Sequence, residues 1–403
     1  MIDVRSFVLV VNCGSSSVKF GVFSGSGREP ILSALAENLG QATSRLVVKE
    51  NGEKTEMSLD GGSHDVALQK LLGILDDKDW LGSVVAVGHR IVHGGEQFCA
   101  ATRIDGSVLH DINGLSRLAP LHNPANVLGV RTAMAALPSI PHVAVFDTAF
   151  HATMPPAAYA YAIPQDCYRN LGIRRYGFHG TSHRYVAMEA VSLLGLDPQD
   201  HGIVIAHLGN GASATAVRNG QSLDTSMGFT PLEGLVMGTR SGDIDPGALF
   251  HIAREDGLSI DELDTLLNRK SGLLGLSGLS NDCRTLESAA REGHEGAKLA
   301  LDVFVHRLAR YIGGLATSLD RLDAVVFTGG IGENSATMRK ATIEHLKVLG
   351  LTLDEDANSQ MFGGRCGVIS TAASKPVAAV IATNEEWMIA HDTLSIVTST
   401  EAA

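Results

Sequence analysis

The sequence predicts a two-domain α/β protein, and three observations support that prediction. The chain has 403 residues, which is long for one ordinary domain and a natural length for two. Apolar runs typical of strands alternate along the chain with segments of helical periodicity. There are two pairs of strand-like runs, each joined by a short turn of small residues, and one pair lies near the start of each half. We therefore expect a mixed architecture in which an additional hairpin begins each half.

Each expected element follows from a local pattern. The apolar runs 7–11 and 18–23 flank a turn of small residues, and the runs 203–207 and 212–217 flank a Gly-Asn-Gly turn, so both pairs predict hairpins. Further strands are expected at 84–87, 142–146, 324–328 and 377–382. Helices are expected at 64–75, 124–136, 182–194, 246–256 and 296–319, and Ser259 with Glu262 predicts a capping box that opens another helix. We place the domain boundary near Phe150, ahead of a Met-Pro-Pro segment.

Composition argues against several classes of protein. The net charge of -12 is the opposite of the basic surplus that nucleic-acid binders carry. The 5 cysteines form no CxxC pair and their number is odd, which predicts a reducing compartment without a disulfide framework or structural zinc. The apolar run 7–11 is too short to span a membrane and lacks a basic flank, and no longer run reaches the length of about 18 residues that a span requires. We expect a cytoplasmic protein with no membrane or nucleic-acid partner.

Three turns of small residues follow apolar strands and are candidates for contact with phosphate groups. The first carries Asn12, Ser15, Ser17 and Lys19, and strand alternation is expected to put Ser17 and Lys19 on one face. The second is 207–211 and the third is 329–332. One such turn is as well explained by an ordinary hairpin, but three together favour a nucleotide ligand. The GxxxxGK[ST] pattern is absent, which excludes a P-loop protein.

Charged residues near strand ends and glycines supply the other candidates. Arg90 and Arg240 lie among glycines in segments expected to be loops, from which a guanidinium can bind an anion through two hydrogen bonds. Asp147 and Glu385 follow expected strands, where carboxylates are well placed for a hard cation such as Mg2+. The alternatives are a surface arginine in a turn and a carboxylate at a helix N-terminus.

Histidines are numerous, and four of the 16 lie in the segments that carry these candidates. The sequence His-Gly-Thr-Ser-His separates His179 from His183 by four positions, while His122 and His207 stand in other such segments. Neither an HExxH pattern nor a cysteine set accompanies them, so a zinc site is not expected. Most lone histidines are simply hydrogen-bonded, and His179 and His122 stand out only through their neighbours.

Nine segments together resemble the acetate kinase family in order and spacing. They are VLVVNCGSSSVKF, GHRIVHGGE, LHNPAN, VFDTAFH, RRYGFHGTSH, IAHLGNGAS, GLVMGTRSGDIDP, FTGGIGENS and ATNEE, and they span residues 8 to 386. The resemblance implies the two-domain α/β fold of the actin, Hsp70 and sugar-kinase superfamily, which is ribonuclease H-like, with ATP between the domains. It also implies that a first domain, 1–150, is completed by about 385–403, that 151–384 forms a nucleotide-binding domain, and that the protein is a homodimer.

The resemblance further implies an activity and a set of site residues. The reaction is reversible phosphoryl transfer from ATP to acetate, giving acetyl phosphate and ADP, with Mg2+ as the metal and Mn2+ as an alternative. The catalytic group is Arg90, Asp147, His179 and Arg240. Asn12 and Glu385 are associated with the metal, Glu386 being the alternative to Glu385. The ATP-binding set is Ser15, Ser17, Lys19, His207, Leu208, Gly209, Asn210, Gly211, Asp282, Cys283, Arg284, Gly330, Ile331 and Asn334.

Substrate choice is implied by a small apolar pocket. Its residues are Val92, Leu121, Phe178 and Pro231, and Arg90 and His122 complete the substrate-binding set. A smaller residue in place of Val92 is typical of relatives that prefer propionate. One methylene group changes binding in such a pocket by only about 1–3 kcal/mol, so propionate is expected to be a poorer substrate and not an excluded one.

Two positions depart from the family pattern, and two other functions stay open. Cys13 stands where alanine is common in the family, and Cys283 stands where an aromatic residue can occur in relatives. Either cysteine could make the enzyme sensitive to a thiol reagent. The first alternative function is a propionate or butyrate kinase of the same fold. The second is an actin-like ATP switch without catalytic activity, which has no use for the two arginines and the apolar pocket together.

Overall fold

The computed structural model describes residues 6–25 and 27–401, which form two compact units with separate sheets. One unit comprises the chain up to Phe150 together with the chain from Asn384 onward, and the other comprises His151–Thr383. Among the described residues, no helix combines the length and the apolar character that crossing a bilayer requires.

Strands and helices alternate along most of the chain. The strands are β1 (Phe7–Cys13), β2 (Val18–Ser24), β3 (Leu32–Glu37), β4 (Arg45–Glu50), β5 (Glu53–Ser58), β6 (Val84–Ile91), β7 (Thr102–Arg103), β8 (His142–Phe146), β9 (Gly202–Leu208), β10 (Ala212–Arg218), β11 (Gln221–Thr225), β12 (Ala324–Thr328), β13 (Gly367–Val368) and β14 (Val377–Val380). The helices are α1 (His64–Asp77), α2 (Gly106–Gly114), α3 (Asn123–Ala136), α4 (Pro156–Tyr159), α5 (Gln165–Leu171), α6 (Gly180–Leu194), α7 (Pro246–Asp256), α8 (Ile260–Arg269), α9 (Gly272–Ser277), α10 (Cys283–Arg291), α11 (Glu295–Ala316), α12 (Gly329–Asn334), α13 (Ala336–His345), α14 (Glu355–Gln360) and α15 (Glu385–Glu401).

The strand order of the second sheet repeats the order of six of the eight strands in the first sheet. The first unit has the order β5-β4-β3-β2-β1-β6-β8-β7, and the second has β11-β10-β9-β12-β14-β13. In each sheet a hairpin leads into three parallel strands, which are β1, β6 and β8 in the first and β9, β12 and β14 in the second. The carboxyl ends of parallel strands meet at one sheet edge, where α/β proteins commonly bind their ligands.

The central strands are apolar on both faces because helices cover both faces. In β1, Leu9 and Val11 belong to the core that α1 completes, whereas Val8 and Val10 belong to the core that contains Ile389 of α15. Successive strand residues point to opposite faces, so a strand covered on both sides becomes a continuous hydrophobic run. Full burial of each such side chain contributes roughly 1.5–3 kcal/mol.

Most of the expected elements are present. The two hairpins, the strands 142–146 and 324–328, the helix 246–256 and the capping box of Ser259 with Glu262 are confirmed. The helix expected at 182–194 begins earlier, at Gly180, and the helix expected at 296–319 begins at Glu295 and ends at Ala316.

Two segments that the sequence predicts to be loops are regular secondary structure. Arg90 lies within β6, which continues to Ile91, and the preceding Gly88 is required by helix packing, since a β-carbon there would lie 2.3 Å from Thr393 Oγ1 of α15. The third glycine turn is the helix α12. Its first residue, Gly329, has a φ of +75° and faces the carbonyl oxygen of Leu208, so glycine serves close packing at this helix start.

Candidate active site

In the first unit, three polar side chains meet at the carboxyl ends of adjacent parallel strands. Asn12 lies on β1, Arg90 on β6 and Asp147 directly after β8. Arg90 Nε donates to Asp147 Oδ1 at 3.1 Å, Arg90 Nη2 donates to Asp147 Oδ2 at 2.6 Å, and Arg90 Nη1 donates to Asn12 Oδ1 at 3.5 Å. The side chain of Asp147 is 1% exposed and that of Arg90 is 24% exposed. The buried carboxylate therefore fixes the guanidinium and leaves part of it accessible to solvent.

Glu385, in the first turn of α15, adds a second carboxylate to this cluster. Burial by itself would lower the pKa of Arg90, but the charges of Asp147 and Glu385 outweigh burial and raise it above the ordinary value. Glu385 Oε1 is buried and has no hydrogen-bond partner in the described part of the chain. Burial also raises the pKa of Glu386, with Lys19 opposing and Glu385 adding to that shift, so the two adjacent glutamates lie in different surroundings.

The buried oxygen of Glu385 is the observation that tests whether a divalent cation fits here. A buried carboxylate oxygen without a partner is costly, and a cation or a metal-bound water would satisfy it. Within residues 6–25 and 27–401 no cluster of three or more His, Cys, Asp or Glu side chains forms a complete metal site. Mg2+ in phosphoryl-transfer sites uses one or two carboxylates together with waters and substrate oxygens, so Asn12 and Glu385 fit that mode of binding.

The first turn of small residues joins β1 to β2. Gly14 N donates to Ser17 O at 2.8 Å and closes the turn. Ser15 and Lys19 are exposed, and Ser17 is half-buried and ends the turn just before β2 begins. The exposed hydroxyl and ammonium groups are available to a phosphate group.

The start of α3 supports the segment that follows β6. Asn126 Oδ1 accepts from Val92 N at 3.0 Å, and Asn126 Nδ2 donates to Cys13 O at 2.8 Å. Asn123 accepts from His93 N and donates to His93 O. One helix therefore fixes the backbone beside both Asn12 and Arg90. Sequence reasoning missed these two asparagines, although the Leu-His-Asn-Pro-Ala-Asn motif contains them.

The pocket residues of the first unit differ in exposure. Val92 is 8% exposed and follows β6, whereas Leu121 is 49% exposed. His122 immediately precedes α3, and its backbone N–H donates to Ala119 O at 3.0 Å. Within this unit, the side chain of Val92 is thus buried and packed, and that of Leu121 lies at the surface.

In the second unit, Gly211 brings His179 and Arg240 together. A β-carbon on Gly211 would lie 3.1 Å from Arg240 Nη2 and 3.5 Å from His179 Nε2, so both side chains reach the backbone of the Gly-Asn-Gly turn. Arg240 Nη1 donates to Pro231 O at 2.7 Å. Within the described ranges no carboxylate pairs with Arg240, and burial lowers its pKa. Arg240 is half-buried, and a guanidinium that is largely shielded from water without an anionic partner is a candidate site for an anionic ligand.

His179 is held by its backbone and by neighbouring rings. It precedes α6 with a φ of +57°, a conformation that non-glycine residues rarely adopt outside functional sites and turns. Its ring stacks on His207 with centroids 4.5 Å apart, and its Nδ1 lies 2.9 Å from Ser213 Oγ. The preceding Phe178 is buried, and its carbonyl oxygen accepts from His151 Nε2 at 3.0 Å.

The remaining candidate ATP-binding residues lie at the start of α10 and within α12. Asp282 caps α10 and forms an ion pair with Arg284, which holds the pKa of Asp282 near 2 through their side-chain hydrogen bond. Asn334 Nδ2 donates to Gly330 O at 3.0 Å within α12, and nothing lies within 4 Å of a β-carbon on Gly330. Glu287 accepts from Cys283 Sγ within α10 and from Ser335 Oγ, which directly follows α12, so the second bond joins the two segments. These contacts bring the two segments together, with Ile331 half-buried and the backbone of Gly330 accessible.

Two of the ATP-binding candidates do not offer an exposed side chain to a ligand. Leu208 is 1% exposed in β9, and Cys283 is 6% exposed, so only the backbone of Leu208 and the surroundings of Cys283 are accessible. Cys13 is also buried, and burial raises its pKa to about 12. The residues Gly209 and Asn210, by contrast, form the turn itself, and Asn210 is exposed.

This chain is similar to known acetate and propionate kinases. The family model described as the Acetokinase family matches residues 7–391. The acetate kinase of Chromobacterium violaceum is 52% identical over 98% of this chain and 99% of its own. The propionate kinase of Yersinia enterocolitica is 52% identical over 96% of this chain and 95% of its own.

A solved structure extends the likeness to three dimensions. The crystal structure of Porphyromonas gingivalis acetate kinase superimposes with a TM-score of 0.92 at 44% identity, covering 97% of this chain and 100% of that one. The repeated α/β sheets are those of the two-domain actin-like ATPase fold. A match over almost the whole chain, at this level of identity and with the same fold, places the protein among these kinases: the chain belongs to the acetokinase family.

Proposed function

We propose that this chain catalyses reversible, metal-dependent phosphoryl transfer from ATP to acetate, giving acetyl phosphate and ADP by direct in-line transfer. Membership of the acetokinase family and an identity of 52% to an acetate kinase over 98% of the chain support the proposal. The single structural observation that carries it is the half-buried Arg240, which has no carboxylate partner among the described residues and lies beside Gly211 and His179.

The chemistry explains why the candidates include cationic side chains and why no general base has to be assigned. Acetate is ionised at neutral pH, so it needs no general base to become a nucleophile. The main barrier is the electrostatic repulsion between the carboxylate and the phosphates of ATP. Groups that neutralise the oxygens of the transferring phosphoryl group remove most of that repulsion. We assign Arg90 and Arg240 to the carboxylate and the transferring phosphoryl group, and His179 to a hydrogen bond with a phosphoryl oxygen.

Asp147 acts on Arg90 in this proposal. Its bidentate ion pair fixes the plane of the guanidinium, so the remaining N–H groups of Arg90 keep one direction. An arginine that is oriented before the substrate binds loses less side-chain entropy on binding. Asp147 thus supports catalysis through the position of Arg90 as well as through the local negative charge that favours a metal cation.

We propose Mg2+ as the metal, with Mn2+ as an alternative, held by Asn12 and Glu385. The buried oxygen of Glu385 and the amide of Asn12 are hard ligands of the kind that Mg2+ prefers. When bound, the metal supplies positive charge at the phosphate oxygens of ATP. Glu386, which lies beside Lys19, is assigned to a separate role near the first turn.

The remaining candidates are assigned to ATP. Exposed hydroxyl, ammonium and backbone N–H groups of the two turns suit the phosphates, and the helix starts at Asp282 and Gly330 suit the nucleoside. The phosphate set is Ser15, Ser17, Lys19, His207, Leu208, Gly209, Asn210 and Gly211. The nucleoside set is Asp282, Cys283, Arg284, Gly330, Ile331 and Asn334, with Leu208 and Cys283 contributing through backbone or packing.

A propionate kinase is the second candidate, because a propionate kinase is also 52% identical to this chain. We assign the acyl pocket to Val92, Leu121, Phe178 and Pro231, and we assign His122 to substrate binding beside it. The buried Val92 favours the smaller acyl group, since a methyl group added to the ligand would have to fit against a packed side chain.

We also propose the domain division, the oligomeric state and the cellular location of the protein. The two compact units correspond to the two domains of the kinase, with the boundary at Phe150. The protein is a homodimer, which sedimentation equilibrium tests directly through the mass in solution. It acts in the cytoplasm, as its unpaired cysteines favour, and fractionation of the native cells tests that location.

The test is the formation of acyl phosphate, trapped as a hydroxamate, from ATP, Mg2+ and acetate, propionate or butyrate. The proposal expects the highest kcat/KM with acetate and no product without a divalent metal. A higher kcat/KM with propionate would favour the second candidate. ATP binding or hydrolysis that ignores every carboxylate would point to an actin-like ATP switch and would remove the roles given to Arg90 and Arg240.

A further inference from the structure

Ser213 lies between two histidines in the second unit. Its Oγ is 2.9 Å from His179 Nδ1 and 2.7 Å from His183 Nε2, and the serine is fully buried on β10. Among the described residues these two rings are the hydrogen-bond partners of the hydroxyl. A hydroxyl has one hydrogen, so it donates to one ring and accepts from the other.

The direction of the hydrogen bond between His183 and Ser213 follows from the other ring nitrogen of His183, Nδ1. Its ring is fully buried, and its Nδ1 has no hydrogen-bond partner among the residues that the structure describes. Burial, together with the nearby His151 and His207, holds the pKa of His183 well below its usual value, so the ring is neutral and carries one hydrogen. A buried N–H without an acceptor is rarer in proteins than a buried acceptor without a donor, which leaves the hydrogen on Nε2.

The rest of the chain of hydrogen bonds is then determined. His183 Nε2 donates to Ser213 Oγ, and the Ser213 hydroxyl therefore donates to His179 Nδ1. An Nδ1 atom that accepts a hydrogen bond carries no hydrogen in a neutral ring, so the hydrogen of His179 lies on Nε2. This is the ring nitrogen closest to the position of a β-carbon on Gly211, at 3.5 Å, beside Arg240.

We propose that Ser213 and His183 are positioning residues that fix His179 in the Nε2–H tautomer, aimed at the ligand beside Gly211. The opposite tautomer would present a lone pair to an anion and repel it, whereas the Nε2–H form donates a hydrogen bond to a phosphoryl oxygen. This functional consequence rests on the proposed phosphoryl transfer. The tautomer itself is a property of the free protein and can be measured without any substrate.

The direct test is the tautomer of His179 in the whole protein, read from long-range nitrogen–proton NMR spectra of 15N-histidine-labelled material. The His179→Gln variant assigns the ring by removing its signals. We expect the Nε2–H pattern in the unsubstituted protein and a mixed or Nδ1–H pattern in Ser213→Ala. An Nδ1–H pattern in the unsubstituted protein, or an unchanged pattern in Ser213→Ala, would overturn the proposal.

Ser222→Ala is the matched control. Ser222 is also fully buried on a neighbouring strand, and its Oγ lies 2.9 Å from His151 Nδ1, so the substitution removes a serine–histidine bond without touching His179. We expect the His179 pattern to be unchanged in this variant. If Ser213→Ala does not fold, the spectrum of the unsubstituted protein still decides the tautomer.

Turnover supplies the second measurement. Ser213→Ala should lower kcat about 10-fold or more, with a smaller change in KM, because an outer-shell partner acts through the group it orients. His179→Gln should retain more activity than His179→Asn, since the glutamine amide can replace Nε2 and the asparagine amide replaces Nδ1. Equal activity in these two variants would count against the tautomer. An unsubstituted protein with the Nε2–H pattern and no kinase activity would refute the proposed function alone.

Discussion

Arg90 and Asp147 form a bidentate ion pair in which the carboxylate is almost fully buried and the guanidinium is partly exposed. The two hydrogen bonds measure 3.1 and 2.6 Å, and they join the ends of two adjacent parallel strands. Removal of one partner of such a pair leaves the other charge without compensation. The pair therefore links the stability of this sheet edge to the orientation of a group that we assign to the substrate.

The first prediction concerns this pair. Arg90→Ala should lower kcat by at least about 10²-fold, the scale of one lost electrostatic contact in a transition state. Asp147→Asn should lower kcat as well, and the double variant should lose less than the product of the two single losses, since Asp147 acts in part through Arg90. Steady-state kinetics of the three variants, with Mg2+ titrated in each, measure the coupling.

The matched control for this cycle is the exposed pair of Arg218 and Asp320. The Arg218→Ala variant breaks an ion pair of the same type at the surface, where such pairs contribute about 0–1 kcal/mol, and activity should be unchanged. Independent, additive effects of Arg90→Ala and Asp147→Asn would contradict the positioning role of Asp147.

The second prediction concerns Gly211. Gly211→Ala places a methyl group 3.1 Å from Arg240 Nη2 and 3.5 Å from His179, so the anion site must rearrange. We expect a decrease of about 10-fold or more in kcat/KM, comparable with the loss of a well-placed electrostatic group. Gly313→Ala, in α11 with open space around the added carbon, is the control and should retain activity. Full activity of Gly211→Ala would argue against a ligand at this position.

The third prediction concerns the acyl pocket. Val92→Ala should raise the ratio of kcat/KM for propionate over acetate by about 10-fold, since a pocket distinguishes one methylene by about 1–3 kcal/mol. The ratio is measured with the hydroxamate assay on both substrates. Val48→Ala removes the same volume from a buried strand position elsewhere in the first unit and should lower stability without changing the ratio. An unchanged ratio in Val92→Ala would remove Val92 from the pocket.

The fourth prediction replaces the sequence-based expectation of thiol sensitivity at Cys13 and Cys283. Both are buried, and burial raises the pKa of both thiols, to about 12 for Cys13, so little reactive thiolate exists at neutral pH. Iodoacetamide should modify the exposed Cys99 and Cys366 first and leave activity intact. Mass spectrometry of the labelled protein, with activity measured in parallel, checks this. Loss of activity that tracks labelling of Cys13 would contradict it.

The fifth prediction concerns acid stability. Burial lowers the pKa of His151 to about 4, below the 6.5 of an unperturbed histidine, so the unfolded chain binds more protons in this range. The free energy of unfolding should therefore fall as the pH drops from 6.5 toward 4, by up to about 3 kcal/mol for this residue. Denaturant unfolding of His151→Gln should show a shallower decrease over the same range.

An exposed histidine provides the comparison. His110→Gln, on the surface of α2, should leave the pH dependence of unfolding unchanged. If His151→Gln showed the same slope as the unsubstituted protein, another group would have to account for the loss of stability in acid.

Local patterns predicted much of the fold because each depends on neighbouring residues. Alternating or continuous apolar runs defined β1, β2, β8, β9 and β12, and the capping box of Ser259 with Glu262 marked the start of α8. The errors occurred where glycine served a distant contact. Gly88 and Gly329 were interpreted as loop residues, but they allow β6 to approach Thr393 and α12 to approach Leu208. A glycine in a sequence does not reveal which neighbour requires it.

The sequence alone determined the chemical types of the site and, by its resemblance to a family, the order of the motifs that carry them. Only the tertiary structure decided how those groups are oriented. Asn126 joins the backbone at Cys13 to that at Val92, and Ser213 joins His179 to His183, across sequence separations that no local pattern encodes. A side chain's chemistry is fixed by its residue type, but its hydrogen-bond partners, tautomer and burial depend on segments that meet only after the chain has folded.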